Sequence, residues 1–427
     1  MAIFIKDILY LPMTGRGEFH HGSIRIEGQR ITAMGDIVPK WGDEIIYGQD
    51  KCALPGFVNC HTHAAMTMLR GYGEGLPLEQ WLQDVIRPAE NSLTDEDFYL
   101  GNLLAHLEML KSGTTCYADM YFDPGSAIWA AETSGIRGVL GAGLVDYDGR
   151  GEYYLREALR FAKEHENDLE GRIHFMLAPH ALYSCSENYL QSIAHAAEET
   201  GLTIHIHVAE TEIEQEACLR NHGKRALQYL DSTGLLRHKV LAAHMVHLDE
   251  SEMELAGERG VSAIHCPQSN MKLASGIFPH GELKKHGVPI ALGTDGAASN
   301  NDLDMVEEMR TAILLQKVAQ KDADALNPYE ALSMATINGA KALGLDDEIG
   351  TLEVGKKADI NIISLWRPHF YPRTERHSLL SHLVYCMKSG DVHTVIVNGK
   401  IIVRERKCVN IDEGKLYQEV QHRAARM

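Results

Sequence analysis

None of the eight cysteines in this 427-residue chain forms a C-x-x-C pair, which excludes a zinc ribbon and a thioredoxin-type redox motif. They are scattered through apolar segments, as expected of reduced, buried thiols in a cytosolic enzyme. No run of about 18 apolar residues occurs, so no transmembrane helix is expected. The opening residues, Met1-Ala2-Ile3-Phe4-Ile5-Lys6, lack a basic stretch followed by a long apolar core. No signal peptide is therefore expected, and the expected location is the cytoplasm. Positive charge is in deficit: 41 Lys and Arg face 59 Asp and Glu, for a net charge of −18. Such a surface repels polyphosphate and argues against nucleic acid as a partner, while a small neutral or zwitterionic substrate remains compatible. The Gly-rich fingerprint that opens a dinucleotide-binding doubly wound sheet is also missing.

What is present is an alternating chain. Short apolar runs recur at 54–59, 114–118, 137–144, 173–178, 203–208, 240–243, 261–264 and 289–293. Between them, stretches such as 95–111, 153–165, 186–200 and 303–318 carry apolar residues at helical spacing. Eight β units alternating with helices predict an α/β fold, a parallel (β/α)₈ barrel of the TIM type. The two ends read differently. The segments 3–9, 23–26 and 31–34, and later 358–365 and 394–403, are β-rich, with turns at Glu27-Gly28-Gln29-Arg30 and Asn398-Gly399. The expected division is residues 1–53 and 353–427 as the two parts of one small β-sandwich domain with a terminal helix, and 54–352 as the barrel.

Barrel enzymes carry their chemistry at the C-terminal ends of the strands. The first run is followed by His61-Thr62-His63, whose alternation on an extended chain turns both imidazoles to one side. Alone, such a pair also fits two histidines on a polar strand end. The fifth run carries His207 at its end with Glu210 three residues on from that histidine, the sixth is followed by His244, and the eighth by Asp295 in Leu292-Gly293-Thr294-Asp295-Gly296. His61, His63, His207 and Asp295 make a three-imidazole, one-carboxylate set suited to zinc or iron. The fourth run reads Met176-Leu177-Ala178-Pro179-His180, without the lysine that a two-metal barrel hydrolase uses as a bridging ligand. One divalent metal per chain is expected, Zn²⁺ first and Fe²⁺ as the alternative. His205, one alternation step before His207, reads as a hydrogen-bonded core histidine, and His265 and Cys266 as packing. Ser269, Asn270, Ser299 and Asn300 read as polar groups lining the barrel mouth.

These residues resemble the amidohydrolase superfamily. The carriers are Pro55-Gly56-Phe57-Val58-Asn59-Cys60-His61-Thr62-His63, His205-Ile206-His207-Val208-Ala209-Glu210-Thr211 and Gly293-Thr294-Asp295-Gly296. More narrowly, residues 61–71, 78–81 and 178–186 are similar to the 5-methylthioadenosine/S-adenosylhomocysteine deaminases, a pattern that triazine chlorohydrolases partly share. The resemblance implies that His61, His63, His207 and Asp295 hold the metal, that Glu210 shuttles protons and that His244 orients the nucleophile. It further implies that Glu90 accepts hydrogen bonds from a ribose diol, that His180 contacts the nucleoside and that Trp81 packs near base or sugar. Arg150 falls at an arginine position that faces the 5′ tail. Ala142 stands where some relatives carry a second tail-binding arginine, which favours an uncharged 5′ substituent over S-adenosylhomocysteine. Apart from the resemblance, Glu90 reads equally as a helix-end carboxylate, Trp81 as core and Arg150 as a solvated charge.

The implied reaction is hydrolytic deamination of an adenine nucleoside to the inosine analogue and ammonia. Zinc lowers the pKa of a water it holds to about 7, Asp295 can accept the proton released on attack, and a desolvated Glu210 can protonate the ring and the departing amine. Two other readings remain open at this point. One is another hydrolysis on the same scaffold, such as triazine dechlorination or deamination of guanine, cytosine or a pterin. The other is a non-enzymatic scaffold. A small-molecule nucleoside is the expected partner, with no membrane and with a homo-oligomer by analogy.

Overall fold

The computed structural model describes residues 2–15 and 17–426. Both ends of the chain meet in one hydrogen-bonded sheet of nine strands. Its N-terminal members are Ile3–Tyr10, His20–Glu27, Arg30–Gly35, Glu44–Tyr47 and Lys51–Pro55. Its C-terminal members are Ile360–Ser364, Val392–Val397, Lys400–Arg404 and Lys407–Cys408. The two halves join where Ile360–Ser364 runs antiparallel to Lys51–Pro55. Asn398 (φ 51°) and Gly399 (φ 76°) supply the two left-handed residues that a tight hairpin needs. A Cβ on Gly399 would lie 2.0 Å from the carbonyl oxygen of Gly28, so glycine is required where this hairpin meets the 27–30 turn.

The middle of the chain forms parallel strands with helices between them. Phe57–Thr62, Thr114–Tyr121, Arg137–Leu144, Ile173–Phe175 and Ala178–Pro179 form one sheet, and Ile204–Val208, Val240–His244, Ser262–His265 and Ile290–Leu292 another. Hydrogen bonds cross both seams. The Leu177 N–H donates to the Thr203 carbonyl at 2.9 Å and the His205 N–H to the Leu177 carbonyl at 2.8 Å. On the other side the Asp295 N–H donates to the His61 carbonyl at 2.9 Å. A side chain on Gly293 would come within 2.8 Å of His61 Cβ, so only glycine lets these strands approach.

The apolar run at 54–59 does not form one strand. It divides at Gly56 into Lys51–Pro55, which belongs to the terminal sheet, and Phe57–Thr62. The reason is steric: a Cβ on Gly56 would sit 2.0 Å from Thr115 Oγ1, so the chain passes from one sheet to the other where only glycine fits. The run at 173–178 is likewise interrupted, because Met176 bonds back to Leu140 while Leu177 bonds forward to Thr203.

The helices start where side chains can cap them. Thr94 and Asp97 form a reciprocal box at Asp95–Ser112, Ser186 caps Glu187–Thr200 and Asp304 caps Met305–Gln320. Arg137 ties the terminal sheet to the parallel strands. Its guanidinium is buried and bonds both oxygens of Asp359, at 3.0 and 3.2 Å, and the Gly171 carbonyl at 2.8 Å. Among the described residues no helix is long and apolar enough to cross a membrane.

Candidate metal centre and active site

Four strand ends deliver their side chains to one point. The nitrogens of His61, His63 and His207 lie within 4.8 Å of one another, as do the donor atoms of His61, His244 and Asp295. Asp295 Oδ1 is 3.4 Å from His61 Nε2 and 3.3 Å from His63 Nε2, and the Nε2 atoms of His63 and His207 are 3.2 Å apart. Each ring is turned by a bond on its far side. His63 Nδ1–H donates to the Met120 carbonyl and His207 Nδ1–H to the His180 carbonyl, both at 2.6 Å. Their Nε2 lone pairs therefore face the centre. His61 Nδ1 meets His205 Nε2 at 2.7 Å, while His61 Nε2 is buried with no hydrogen-bond partner. An orphaned buried imidazole nitrogen aimed at two others and a carboxylate fits the donor set that a divalent metal takes.

The electrostatics agree. Burial lowers the His61 pKa to about 4 and holds His207 well below its ordinary value, so these rings are neutral, as metal ligation requires. Burial alone would raise Asp295, but the imidazoles of His61 and, less strongly, His63 facing its carboxylate keep it well below the usual carboxylate range. Asp295 is fixed by the Ser269 hydroxyl on Oδ2 and the Gly296 N–H on Oδ1, both at 2.7 Å. Ala209, His244 and Asp295 have φ values of 52°, 74° and 63°, left-handed backbone concentrated where the functional groups are presented.

Glu210 stands beside this centre. Its Oε1 accepts from the Ser275 hydroxyl at 3.0 Å, and its Oε2 is 3.7 Å from His244 Nε2. His244 Nδ1–H donates to Asn270 Oδ1 at 2.9 Å, which turns Nε2 toward Glu210. Burial pushes the Glu210 carboxyl up. His244, although buried, is raised by the negative charge of Glu210 and Asp295.

His63, His207, Glu210, His244 and Asp295 form the floor of a cavity of about 680 Å³. Glu90 lies on its wall, where the Tyr121 hydroxyl donates to Oε1 at 2.7 Å and burial raises the carboxyl. Trp81 is buried, donates from Nε1 to the Tyr72 carbonyl at 2.9 Å and packs with Met66, Ile86 and Tyr121. His180 also lines the cavity, 3.0 Å from the Ser184 hydroxyl, with its pKa lowered to about 3 by burial. Arg150 lies at the rim with its side chain 66% exposed, pairs with Asp148 at 2.8 Å and stands over the Tyr154 ring. Ala142 lines the same cavity.

His205 is a buried histidine bonded to His61, and His265 stacks on Phe278 at 4.3 Å. Ser269 and Asn270 hold Asp295 and His244, whereas Asn300 bonds Glu308 and the Thr294 carbonyl. Sequence reasoning missed Tyr121, Ser275, Glu214 and Arg87. Tyr121 ends the second of the parallel strands, a position that could have been read; the others lie on helices and loops whose approach to the cavity no local pattern encodes.

Residues 52–402 match the model of the amidohydrolase family. A 5-methylthioadenosine/S-adenosylhomocysteine deaminase of Pelotomaculum thermopropionicum is 46% identical over 430 residues, covering 100% of this chain and 98% of that protein. A deaminase of the same name from Desulforudis audaxviator is 45% identical, covering 100% and 99%. Among solved structures, an adenosine deaminase from Xanthomonas campestris with bound zinc superimposes with a TM-score of 0.93 at 33% identity, covering 100% of this chain and 99% of that one. A zinc-complexed atrazine chlorohydrolase from Arthrobacter aurescens, 23% identical with a TM-score of 0.92 over 99% and 100% of the two chains, shares the fold.

Proposed function

The chain belongs to the amidohydrolase family, and on that premise we propose that it deaminates an adenine nucleoside by hydrolysis, giving the inosine analogue and ammonia. The observation that carries the reading is the convergence of His61, His63, His207 and Asp295 beside the buried carboxyl of Glu210, on the floor of a cavity whose wall carries Glu90. The names of the full-length relatives support it.

In this reading the three imidazoles and Asp295 would hold one divalent ion, zinc as in the related adenosine deaminase structure. When bound, that ion would supply a nucleophile at neutral pH by lowering the pKa of a water to about 7. Everything else falls to the side chains. Glu90 takes the ribose diol, with Tyr121 holding its second face, and His180 and Trp81 bracket the base. Glu210, whose carboxyl burial pushes up, donates to N1 of the ring as C6 is attacked; the proton that Asp295 takes from the water then passes through Glu210 to the departing amine, and the C6 hydroxyl proton returns to Glu210 as C6=O forms. His244, aimed by Asn270, sets the direction of attack, and the Asp295 carboxylate receives the proton released from the water. The balance is C6–NH₂ plus water to C6=O plus ammonia.

Residues 57–62 through 290–292 are read as one closed eight-unit barrel, since hydrogen bonds cross both seams. The nine-stranded sheet is read as folded over on itself, because isoleucines 5, 8, 24, 26, 360, 362 and 396 from both halves share one buried cluster. The terminal domain then spans the two ends, with its N-terminal part closing at the strand Lys51–Pro55.

Ala142 on the cavity wall and the engagement of Arg150 by Asp148 favour a neutral 5′ group, as in methylthioadenosine. S-adenosylhomocysteine is the second reading, favoured by the Arg87 guanidinium, which reaches the same cavity over the Tyr147 ring at 5.7 Å. Incubation with methylthioadenosine tests the whole: the ultraviolet spectrum should change from adenine to hypoxanthine, with about one zinc per chain by mass spectrometry. A zinc-loaded protein that leaves every adenine nucleoside unchanged ends the reading.

A further inference from the structure

Glu214 is a buried carboxylate that the reaction above does not use. It lies in the first turn of the helix Glu212–His222, which Thr211 caps by accepting from the Glu214 N–H at 3.2 Å. An acidic residue at this third helical position ordinarily reaches back to the N–H of the capping residue. Here it reaches one residue further. Glu214 Oε2 accepts from the backbone N–H of Glu210 at 2.9 Å, outside the helix. The other oxygen, Oε1, is buried without a hydrogen-bond partner.

The segment this contact holds is unusual. Ala209 has a φ of 52°, and its carbonyl accepts from both Val246 and His247, at 3.0 and 2.9 Å. The chain is thus gripped through a carbonyl at 209 and through an N–H at 210. The Glu210 side chain is gripped at its far end by Ser275. With a left-handed residue immediately before it, the direction of the Glu210 Cα–Cβ bond depends on where that N–H is held. Burial also pushes the Glu214 carboxyl up to about 7, an energetic cost that helix capping alone does not call for, since Thr211 already caps.

We propose that Glu214 is a positioning residue: its carboxylate fixes the backbone at Glu210 so that the Glu210 carboxyl points at the reacting ring. The proposal rests on the reading of Glu210 as the proton carrier. Reach decides the outcome, not charge. Glu214→Gln keeps an oxygen acceptor at the same length, Glu214→Asp keeps the charge one methylene short, and Glu214→Ala keeps neither.

The test is steady-state turnover of methylthioadenosine by the zinc-loaded full chain and these three variants, with Glu210→Gln as the control. Misplacement of a catalytic group by about 1 Å costs on the order of 10²-fold. Glu214→Ala and Glu214→Asp should therefore lose about 10- to 100-fold in kcat with KM and zinc content close to wild type, while Glu214→Gln stays within about threefold of wild type. Wild-type kcat in the Asp or Ala variant overturns the proposal, as does a Gln variant as poor as the Asp variant. If the Ala variant does not fold, the Asp and Gln pair decides alone. High activity in Glu210→Gln would instead remove the parent reading of Glu210, which keeps the two failures apart.

Discussion

His61 Nδ1 and His205 Nε2 lie 2.7 Å apart, both rings fully buried. Only one of these nitrogens can carry the shared hydrogen. For His61 to offer an Nε2 lone pair to a metal, Nδ1 must be the donor, and His205 then keeps its own hydrogen on Nδ1, where no acceptor meets it. An unsatisfied buried donor costs about 1–3 kcal/mol, stability given up to fix one tautomer. Replacing His205 by Leu should weaken zinc affinity by about 10- to 100-fold. Competition with a chromophoric chelator measures it, and an unchanged affinity would show that His61 is oriented by other means.

Much of this site could be read from the chain. His61, His63, His207, His244 and Asp295 are strand-end residues, and period-two alternation together with the order of the strands brings them to one side. The hairpin at Asn398-Gly399 was legible because two left-handed residues leave few alternatives. The split at Gly56 was not, because it depends on Thr115, almost sixty positions away, occupying the space a side chain would need. Arg87 escaped for a similar reason: a charged residue beside a proline on a four-residue helix has no periodicity that tells cavity from solvent.

The Tyr121–Glu90 hydrogen bond leads to a separation of binding from chemistry. Hydrogen bonds to a charged group contribute about 1.5–3 kcal/mol, so Glu90→Ala should raise KM for adenine nucleosides by about 10- to 100-fold. Turnover of free bases should change little. A variant that loses free-base and nucleoside turnover equally would point to a hydrolysis in which no ribose is recognised. Tyr121→Phe should show the same pattern more weakly.

Arg137 and Asp359 place two opposite charges in a site without water contact and bind the terminal sheet to the parallel strands. Removing one partner of such a pair is costly because the other stays charged and buried. Asp359→Ala should destabilise by about 3–5 kcal/mol, read as a lower denaturation midpoint in urea. Replacement of both residues by apolar ones of similar volume should cost less. Equal loss in the single and double variants would mean that packing, rather than the stranded guanidinium, sets the penalty.

Asp302 gives a pH effect away from the metal centre. Burial, with the charges of Asp304 and Glu108, raises its pKa from 3.8 to about 6. A carboxyl raised on folding binds its proton more tightly in the native state. Its contribution is full below its unfolded pKa and is lost as pH rises through 6. The loss is at most on the order of 3 kcal/mol for a shift of this size, less whatever solvent contact screens. Asp302→Asn should flatten the fall in thermal stability between acid and neutral pH. If wild type and variant trace parallel curves, Asp302 does not titrate in that window.

Arg87 and Arg150 divide the question of the 5′ tail. Arg150 is at the rim, held by Asp148 and stacked on Tyr154, so an incoming anion would compete with a carboxylate already in place. Arg87 faces the cavity, with its guanidinium over the Tyr147 ring. Arg87→Gln should therefore lower kcat/KM for S-adenosylhomocysteine by about tenfold or more, the worth of one charge-assisted hydrogen bond. Methylthioadenosine, which carries no charge on its tail, should be little affected. Arg150→Gln should leave the ratio of the two substrates near its original value, because the residue it removes is neutralised by its neighbour. If Arg150 rather than Arg87 shifts that ratio, the Asp148 contact must open when substrate binds, and the tail-facing cation is the one the sequence alone suggested.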